Sequence, residues 1–391
     1  LNTFLDLGNK MGFKTKNIDK YCGYIEFGEG KELVGIIGHL DVVPEGEGWT
    51  YPPFDLTIDE DKIYGRGTID DKGPMIAALY AMKAVSEKIK INKRVRLIIG
   101  LNEESKWKCI NYYKEHEESP TIGFSPDADF PCIYAEKALL TAATECTYIK
   151  NSKIEIEEFD CKNNRENVVP KYCSVKIKVD SEYEDDIKKI LLSKMENDIS
   201  FTKVNNEFYI QCHGIQAHAA HPELGINAVS KMIMLLNEIF NRFGIEERTI
   251  KTLASKIQNE YNGSSLGIKY EDKELGDLTL NLASIELKDN NIKTVMNLRI
   301  PGSIELKKIK MTMENELNTL NVKFNSEKPA LYIPKDNELV QKLCNIYNTY
   351  TGKNEEPLAI GGATFARAFD NCVSFGAMLP GEPDMCHQVD E

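Results

Sequence analysis

Residues 63–88, IYGRGTIDDKGPMIAALYAMKAVSEK, pass from a short strand through a glycine-rich turn into a helix. Pro74 suits the first turn of this helix, and the apolar residues that follow it recur on one helical face. Short apolar runs, typical of buried strands, lie on either side of this stretch at 33–40 and 95–100. Alternation of strands and helices in this order predicts a largely parallel sheet with helices on both of its faces.

The middle of the chain has a different pattern. Residues 173–179 and 278–287 alternate apolar and polar side chains, as strands with one solvated face do. Residues 226–240 lie between these strands and carry apolar side chains at helical spacing. This combination predicts a separate α+β domain, and the α/β pattern returns from about Lys335.

We therefore expect an α/β protein in which an α/β/α domain with a mixed, largely parallel sheet is interrupted by an inserted α+β domain. The first domain is expected at 1–137 and 333–391, and the inserted domain at 138–332. The first residues are typical of the middle of an amphipathic helix, and the last ones carry no stop signal. We expect the sequence to be cut from a longer chain at both ends.

The composition argues against several classes of function. Lys and Arg number 48 against 61 Asp and Glu, and the net charge of −13 argues against nucleic acid or an anionic membrane as a partner. No run approaches the ~18 consecutive apolar residues of a membrane span, and the first residues do not resemble a signal peptide. The ten cysteines contain no CxxC pair, so we expect no disulfide or zinc-ribbon scaffold and a cytoplasmic location.

His39 lies at the end of an apolar run, where side chains enter the crevice in which open α/β sheets bind ligands. Asp41 follows two residues later and could accept a hydrogen bond from the imidazole, which would fix the ring as a metal ligand requires. The alternative is a surface histidine beside a turn-forming aspartate. The motif by itself leaves both interpretations open.

Two pairs of adjacent acidic residues are further candidates. Asp70 and Asp71 precede a helix, so one of them could be its N-cap. The alternative is a carboxylate that bridges two cations, which would also explain the glycines of the turn. Glu103 and Glu104 follow the apolar run 95–100. They are either a solvated loop pair, or one metal ligand beside one proton acceptor.

Two further candidates follow apolar stretches later in the chain. They are Asp127, with Asp129 as its alternative, and His387. Together with the residues above, they form a set of imidazoles and carboxylates at strand-to-loop junctions. Such an oxygen-rich set suits a pair of hydrolytic Zn²⁺, Mn²⁺ or Co²⁺ ions better than a structural cysteine site.

The order of these motifs resembles one family, the co-catalytic zinc peptidases that include carboxypeptidase G, aminoacylase, succinyl-diaminopimelate desuccinylase and carnosinase. Within it, the PepV-type bacterial dipeptidases are the most similar branch. The motifs that carry the resemblance span essentially the whole chain: GHLDVVP at 38–44, YGRGTIDDKGP at 64–74, NEES at 102–105, GFSPDADFP at 123–131, AHAAHPELGINA at 217–228 and MCHQ at 385–388.

The resemblance implies two cation sites that share one carboxylate, with Zn²⁺ as the expected ion and Mn²⁺ or Co²⁺ as alternatives. The implied ligands are His39 and Asp127 for one cation, Glu104 and His387 for the other, and Asp70 between the two. Asp41 is expected to orient His39, and Glu103 is expected to be the general base. The family also has a cis peptide after the shared aspartate, here between Asp70 and Asp71.

The resemblance also assigns substrate contacts. His218 resembles the histidine that polarises the scissile carbonyl, and Asn167 resembles a residue near the same oxygen. Arg299 resembles the arginine that grips the C-terminal carboxylate, and Gly361 and Gly362 lie where backbone amides approach the substrate. The enlarged inserted domain of this branch fills the space of a partner subunit, so we expect a monomer whose inserted domain closes over the metals.

These features imply metal-dependent hydrolysis of dipeptides. An N-acyl-amino-acid deacylase or desuccinylase on the same scaffold is one alternative, and a non-catalytic dipeptide-binding homologue is another. The chain departs from the family at three places: Asn102 replaces an aspartate, Lys106 a glycine, and Lys162–Asn164 a glycine pair. Asn102 removes a negative charge near the metals, so we expect it to change metal affinity or preference.

Overall fold

The computed structural model describes residues 1–161, 165–195, 198–383 and 385–391, so the departure at Lys162–Asn164 lies outside the described residues. The strands are β1 Lys14–Ile18, β2 Cys22–Gly28, β3 Leu33–His39, β4 Thr57–Asp59, β5 Lys62–Tyr64, β6 Arg94–Gly100, β7 Ile122–Ser125, β8 Ala128–Asp129, β9 Ile133–Glu136, β10 Ala138–Thr147, β11 Ile154–Asp160, β12 Tyr172–Val179, β13 Ile199–Val204, β14 Glu207–His213, β15 Thr279–Lys288, β16 Asn291–Ile300, β17 Val322–Lys328, β18 Leu331–Tyr332, β19 Leu358–Ile360, β20 Cys372–Ser374 and β21 Ala377–Met378. The α-helices are α1 Asn2–Lys10, α2 Lys72–Lys88, α3 Lys108–His116, α4 Glu184–Lys194, α5 Ala228–Arg242, α6 Arg248–Lys256, α7 Leu306–Glu316 and α8 Glu338–Thr351.

The chain forms two compact units. The first unit consists of Leu1–Glu136 and Leu331–Glu391, and the second consists of Lys137–Ala330. In the part of the chain that is described, no helix combines the length and the apolar character that a membrane crossing requires.

The first unit is built on a sheet of order β1-β2-β6-β3-β7-β20-β9-β18, with β19 beside β9. The neighbouring strands β6, β3, β7 and β20 are parallel, whereas β2 and β9 join this central group in the antiparallel direction. The central strands are parallel because helices and long crossovers separate them in the sequence. The expected α/β class with a mixed sheet is confirmed.

The sheet edge at the carboxyl ends of β3, β6 and β7 positions the residues that can carry chemistry. His39 is paired with Gly100 in the register of β3 with β6, so the chain leaves both strands at the same edge. Strand β7 is parallel to β3 on its other side. Loops that follow these strands therefore converge on one region, as they do at the ligand-binding edges of α/β sheets.

Helix α2 supports this edge from one face of the sheet. Met75, Leu79 and Met82 are buried in a cluster that includes Ile36 of β3 and Leu97 of β6. The helical face that the sequence predicts is therefore the face that packs on the central strands. Full burial of side chains of this size stabilises the fold by about 1.5–3 kcal/mol each.

The second unit is built on an eight-stranded sheet of order β13-β14-β12-β11-β15-β16-β10-β17, in which the neighbouring strands are antiparallel. Helix α5 contributes Val229, Met232 and Leu236 to the core of this unit. Antiparallel strands with helices agree with the α+β pattern that the sequence predicts for this region.

The solvated face predicted for residues 278–287 is wrong at two positions. Thr279 and Asn281 are buried, although both are polar and alternate with leucines. Thr279 Oγ1 donates a hydrogen bond to the carbonyl oxygen of Ala219 at 3.2 Å, and Asn281 Nδ2 donates one to that of Val168 at 2.9 Å. Loop segments cover this face, and their carbonyl groups satisfy the polar side chains, a contact that alternation alone does not reveal.

Candidate metal centre

His39, the last residue of β3, lies at the centre of the buried part of the site. Its side chain is 1% exposed, and Nε2 lies 2.9 Å from Asp70 Oδ1 and 3.7 Å from Asp127 Oδ2. Asp127 follows β7, whereas the alternative Asp129 lies in β8 and pairs with Met378. The structure therefore brings Asp127 to the imidazole and places Asp129 in a small separate sheet.

His387 lies on the other side of the same aspartate. Its Nε2 is 2.9 Å from Asp70 Oδ2 and 3.0 Å from Glu104 Oε1. The two oxygens of Asp70 thus face two different imidazoles, and each imidazole has one further carboxylate beside it. Asp70 is therefore the carboxylate that the two imidazoles have in common.

Asp41 contacts both His39 and the two glutamates. Its carboxylate accepts hydrogen bonds from the backbone amides of Glu103 at 3.1 Å and of Glu104 at 3.2 Å. His39 Nδ1 lies 2.8 Å from the main-chain oxygen of Asp41 and 3.5 Å from its carboxylate Oδ1. Asp41 therefore contacts His39 through its carbonyl oxygen and, at a longer distance, through its carboxylate, which also accepts the amides of the two glutamates.

Asp71 occupies the N-cap position of α2, but its side chain makes no capping hydrogen bond. It is fully buried, and Oδ2 accepts a hydrogen bond from the backbone amide of His39 at 3.0 Å. A Cβ at Gly38 would come within 2.2 Å of this oxygen, so the close approach requires glycine. The peptide bond between Asp70 and Asp71 is cis, as the resemblance implies.

The electrostatics of the cluster fit divalent cations. Burial, together with the charges of Asp70 and Glu104, raises the pKa of Asp127 to about 7. Burial alone would lower the pKa of His387, but hydrogen bonds to Asp70 and Glu104 outweigh it and raise this pKa to about 10. Several carboxylates are thus crowded in a region from which water is largely excluded, where unpaired negative charge is costly.

The donor atoms are also close enough to act together. One ligand atom from each of His39, Asp70 and Glu104 lies within 4.8 Å of the others, and the same holds for His39, Asp71 and Asp127. Imidazole nitrogens and carboxylate oxygens are ligands for Zn²⁺, Mn²⁺ and related ions. The residues of this cluster therefore fit a metal centre.

The glycine pair 361–362 follows β19 in the first unit and is held by a buried ion pair. Arg367 Nε donates to Glu136 Oε2 at 2.8 Å, and both side chains are at most 1% exposed. Arg367 Nη2 also donates to the carbonyl oxygen of Gly362 at 2.8 Å. This contact fixes the backbone at Gly361 and Gly362.

The remaining predicted site residues belong to the second unit. His218 and Asn167 lie on adjacent segments, because the amide of Ala219 donates a hydrogen bond to the carbonyl oxygen of Asn167 at 2.8 Å. Arg299 lies in β16, is 4% exposed, and its Nε donates to Asn297 Oδ1 at 3.1 Å. In the register of β15 with β16, Arg299 is paired with Thr279.

Sequence reasoning missed two residues that touch this region, Arg66 and Glu391. Arg66 Nη1 lies 2.5 Å from Glu391 Oε2, and both side chains are almost fully buried. The two residues are separated by 325 positions in the sequence. A short stretch such as HQVDE carries no local pattern that would predict a buried ion pair.

A buried cluster of imidazoles and carboxylates at the carboxyl edge of a mixed sheet is the kind of centre found in metal-dependent hydrolases. Residues 35–391 match the model of peptidase family M20/M25/M40. The chain belongs to this family and is a metal-dependent peptidase, which confirms the resemblance at the level of the family.

Similar proteins agree with this assignment. The chain is 37% identical over 406 residues to the "Putative dipeptidase YtjP" of Bacillus subtilis (strain 168), covering 100% of this chain and 85% of that protein. It is 33% identical over 401 residues to the "Putative dipeptidase SAB1611c" of Staphylococcus aureus (strain bovine RF122 / ET3-1), again covering 100% and 85%.

Solved structures show the same fold. Human carnosine dipeptidase 1 matches with a TM-score of 0.58 at 13% identity, covering 100% of this chain and 84% of that one. The M20 family metallo-carboxypeptidase Sso-CP2 from Sulfolobus solfataricus matches with a TM-score of 0.57 at 16% identity, covering 100% and 88%. At these identities, the likeness supports the fold alone.

Proposed function

We propose that this protein hydrolyses the peptide bond of dipeptides and uses two divalent cations, with Zn²⁺ as the expected ion and Mn²⁺ or Co²⁺ as alternatives. The observation that carries the proposal is the placement of Asp70, whose two oxygens each lie 2.9 Å from a different imidazole. The names of the similar bacterial proteins support dipeptides as substrates.

We assign one cation to His39 and Asp127, the other to Glu104 and His387, and both to Asp70. When bound at these residues, the cations would lower the pKa of a water toward ~7 and would polarise the scissile carbonyl. The carboxylate excess of the cluster supports this assignment, because two divalent ions would balance the negative charge that burial makes costly.

Glu103 is the proposed general base. It takes a proton from the attacking water as the water oxygen adds to the carbonyl carbon, and it then returns this proton to the leaving amine. The backbone of Glu103 is anchored because its amide donates to Asp41 Oδ1, next to the equivalent bond from Glu104. Asp41 therefore holds the base and one ligand in a fixed relation to each other.

We propose five residues as substrate contacts. His218 and Asn167 would stabilise the negative charge that develops on the carbonyl oxygen, a contribution of about 3–4 kcal/mol for one well-placed donor. Arg299 would bind the C-terminal carboxylate through its planar guanidinium, and the amides at Gly361 and Gly362 would approach the peptide. These roles rest on the resemblance in the motifs.

The remaining parts of the proposal concern organisation and location. We propose that residues 1–137 and 333–391 form the catalytic domain and that residues 138–332 form an inserted domain that contributes to substrate binding. We also propose a cytoplasmic monomer, and the ten cysteines, which are all present as thiols, support a reducing compartment.

The test compares substrates that carry different acyl groups. Purified protein is assayed with a panel of dipeptides and with N-acetyl and N-succinyl amino acids, before and after removal of metals by a chelator. We expect hydrolysis of dipeptides, its loss with the chelator and its recovery with Zn²⁺, Mn²⁺ or Co²⁺. Preferential cleavage of the acyl amino acids would favour the deacylase or desuccinylase alternative instead.

A Glu103→Gln variant tests the proton transfer separately. We expect kcat to fall by about 10²- to 10⁴-fold, because general-base catalysis contributes on this scale. The metal content and KM should change little, since the variant keeps the shape of the side chain. Dipeptide binding with unchanged kcat in the variant would contradict the role of Glu103, and binding without turnover by the wild type would favour a non-catalytic homologue.

A further inference from the structure

The side chain of Glu391 is buried against the glycine-rich turn that carries the shared aspartate. The residue is 3% exposed, although it is charged and belongs to a segment without regular secondary structure. A glutamate is rarely this deeply buried unless its carboxylate is paired. The groups that hydrogen-bond to this carboxylate therefore indicate its role.

One carboxylate oxygen of Glu391 accepts hydrogen bonds from three backbone amides of the turn. Oε1 accepts hydrogen bonds from the amides of Gly67 at 2.9 Å, Ile69 at 3.2 Å and Asp70 at 3.1 Å. Hydrogen bonds from several backbone amides to one ionised carboxylate are stronger than bonds between neutral groups. The carboxylate thus fixes the main chain of the turn up to and including Asp70.

Two further hydrogen bonds join Glu391 to the same turn. Oε2 accepts a hydrogen bond from Arg66 Nη1 at 2.5 Å, and the side chain of Arg66 is 1% exposed. The amide of Gly65 donates to the main-chain oxygen of Glu391 at 2.7 Å. Both the side chain and the main chain of Glu391 are therefore bound to the same turn.

The contacts of Glu391 join the turn that ends at Asp70 to the segment that carries His387. Asp70 lies at the end of the bound turn, and His387 lies four residues before Glu391 in the chain. His387 Nε2 and Asp70 Oδ2 are 2.9 Å apart. His387 belongs to no strand or helix, so no sheet hydrogen bonds position it.

We propose that Glu391 is a positioning residue of the metal centre: it sets the distance between Asp70 and His387 and thereby the affinity for the cation that His387 binds. This inference rests on the proposed function, since it assumes that these two residues bind metal. Groups outside the ligand set act in this way at other metal sites, and their loss typically weakens metal affinity by about 10- to 100-fold.

The neighbouring residue Asp390 provides a matched control. Its Oδ1 accepts hydrogen bonds from the amides of Thr50 at 2.8 Å and Tyr51 at 3.3 Å, so it also ties the segment to a loop. That loop contains none of the proposed ligands. Loss of this bond removes a tether of similar type without touching the turn of Asp70.

The experiment measures Co²⁺ affinity in the full chain rather than activity alone. The metal-free wild type and the variants Glu391→Gln and Asp390→Asn are titrated with Co²⁺, followed by its visible absorption and by calorimetry, and their unfolding in urea is recorded without metal. We expect Glu391→Gln to weaken one of two binding steps by about 10- to 100-fold. Asp390→Asn should stay within about twofold of the wild type in both steps.

A purely structural role has a different outcome. If Glu391→Gln lowered only the stability of the metal-free protein and bound Co²⁺ like the wild type, the positioning role would be overturned. Should Glu391→Gln fail to fold, Glu391→Asp replaces it, because it keeps the charge for Arg66 and shortens the reach. Weakened Co²⁺ binding in a folded Glu391→Asp supports the proposal, and unchanged binding overturns it. Failure of the wild type to bind Co²⁺ at all would instead overturn the proposed function.

Discussion

The two halves of the candidate metal centre are built in different ways. We call the proposed ligands His39 and Asp127 the buried half and Glu104 and His387 the open half, with Asp70 between them. The carboxylates of Asp127 and Glu104 are similarly exposed, at 12% and 13%, so the histidines carry the difference. The side chain of His39 is 1% exposed, whereas that of His387 is 32% exposed. His39 ends a central strand that has partners on both sides, whereas His387 lies in an irregular segment.

The site therefore has one rigid part and one part that solvent can reach. Sheet hydrogen bonds on both sides and the packing of α2 hold the strand that ends in His39. In the open half, Asp41 accepts a hydrogen bond from the amide of Glu104, and Glu391 ties the segment that carries His387 to the turn of Asp70. Segments held by few contacts open more easily than central strands do, so we expect the open half to lose its cation first.

The largest effect is expected from Asp70→Asn, because Asp70 belongs to both halves. One of its two oxygens becomes an amide group that cannot ligate a cation in the same way. Removal of a residue outside the ligand set typically weakens activity or metal affinity by about 10- to 100-fold, and we expect kcat/KM to fall by more than this. The cation content should fall below two per chain. Steady-state kinetics and elemental analysis measure both quantities. A variant with two tightly bound cations would show that the halves do not share this carboxylate.

A comparison of His387→Gln with His39→Gln sharpens the difference between the halves. We expect His387→Gln to retain one cation, because the buried half keeps both of its own ligands and Asp70. His39→Gln should also lose stability, since it leaves polar groups in the buried half without their partner. Equilibrium dialysis against a graded chelator, together with urea unfolding, measures both effects. Equal cation loss and equal stability in the two variants would remove the distinction.

Gly38→Ala tests the packing of the buried half. An added Cβ would lie 2.2 Å from Asp71 Oδ2 and 2.5 Å from Met75 Sδ, so the strand and α2 would have to separate. We expect the free energy of unfolding to fall by about 1–3 kcal/mol, as overpacked cores do. Gly362→Ala is the steric control, because its nearest neighbour would be 3.5 Å away. Similar losses in both variants in urea unfolding would contradict this explanation.

The smallest effect is expected on the outer surface of α2. Glu87 Oε1 lies 3.0 Å from Lys83 Nζ, and the two side chains are 57% and 35% exposed. Glu87→Gln should change the free energy of unfolding by less than about 0.5 kcal/mol, because exposed pairs at this spacing contribute little. The same urea measurement serves as its check. A loss of stability as large as that of Gly38→Ala would mean that substitutions destabilise α2 on its exposed face as well as on its packed face.

Several of the proposed ligands could be singled out from the sequence because they carry a local signal. His39, Glu104 and Asp127 all follow apolar runs, and the structure brings them to one edge of the sheet. The helical face of α2 and the alternation of β12 were equally visible, since burial repeats with the period of each element. The resemblance to a family then ordered these residues into two cation sites.

Other features had no local signal. The buried pair of Arg66 and Glu391, the carbonyl contact of Asp41 to His39, and the burial of Asn281 all depend on which segments meet. Glu391 and Gly67 are 324 positions apart, so no pattern within a short window connects them. Thr279 and Asn281 alternate with leucines in the same way whether solvent or another loop covers them.

Periodicity and side-chain chemistry are local properties, so they were sufficient to predict the kinds of secondary structure, the mixed α/β class and the residue types that can bind divalent cations. The folded chain was needed to show which oxygen of Asp70 faces which imidazole and which buried carboxylate holds the turn in place. Those relations are distances between segments far apart in the chain, and they are fixed by packing and hydrogen bonding of the folded protein as a whole.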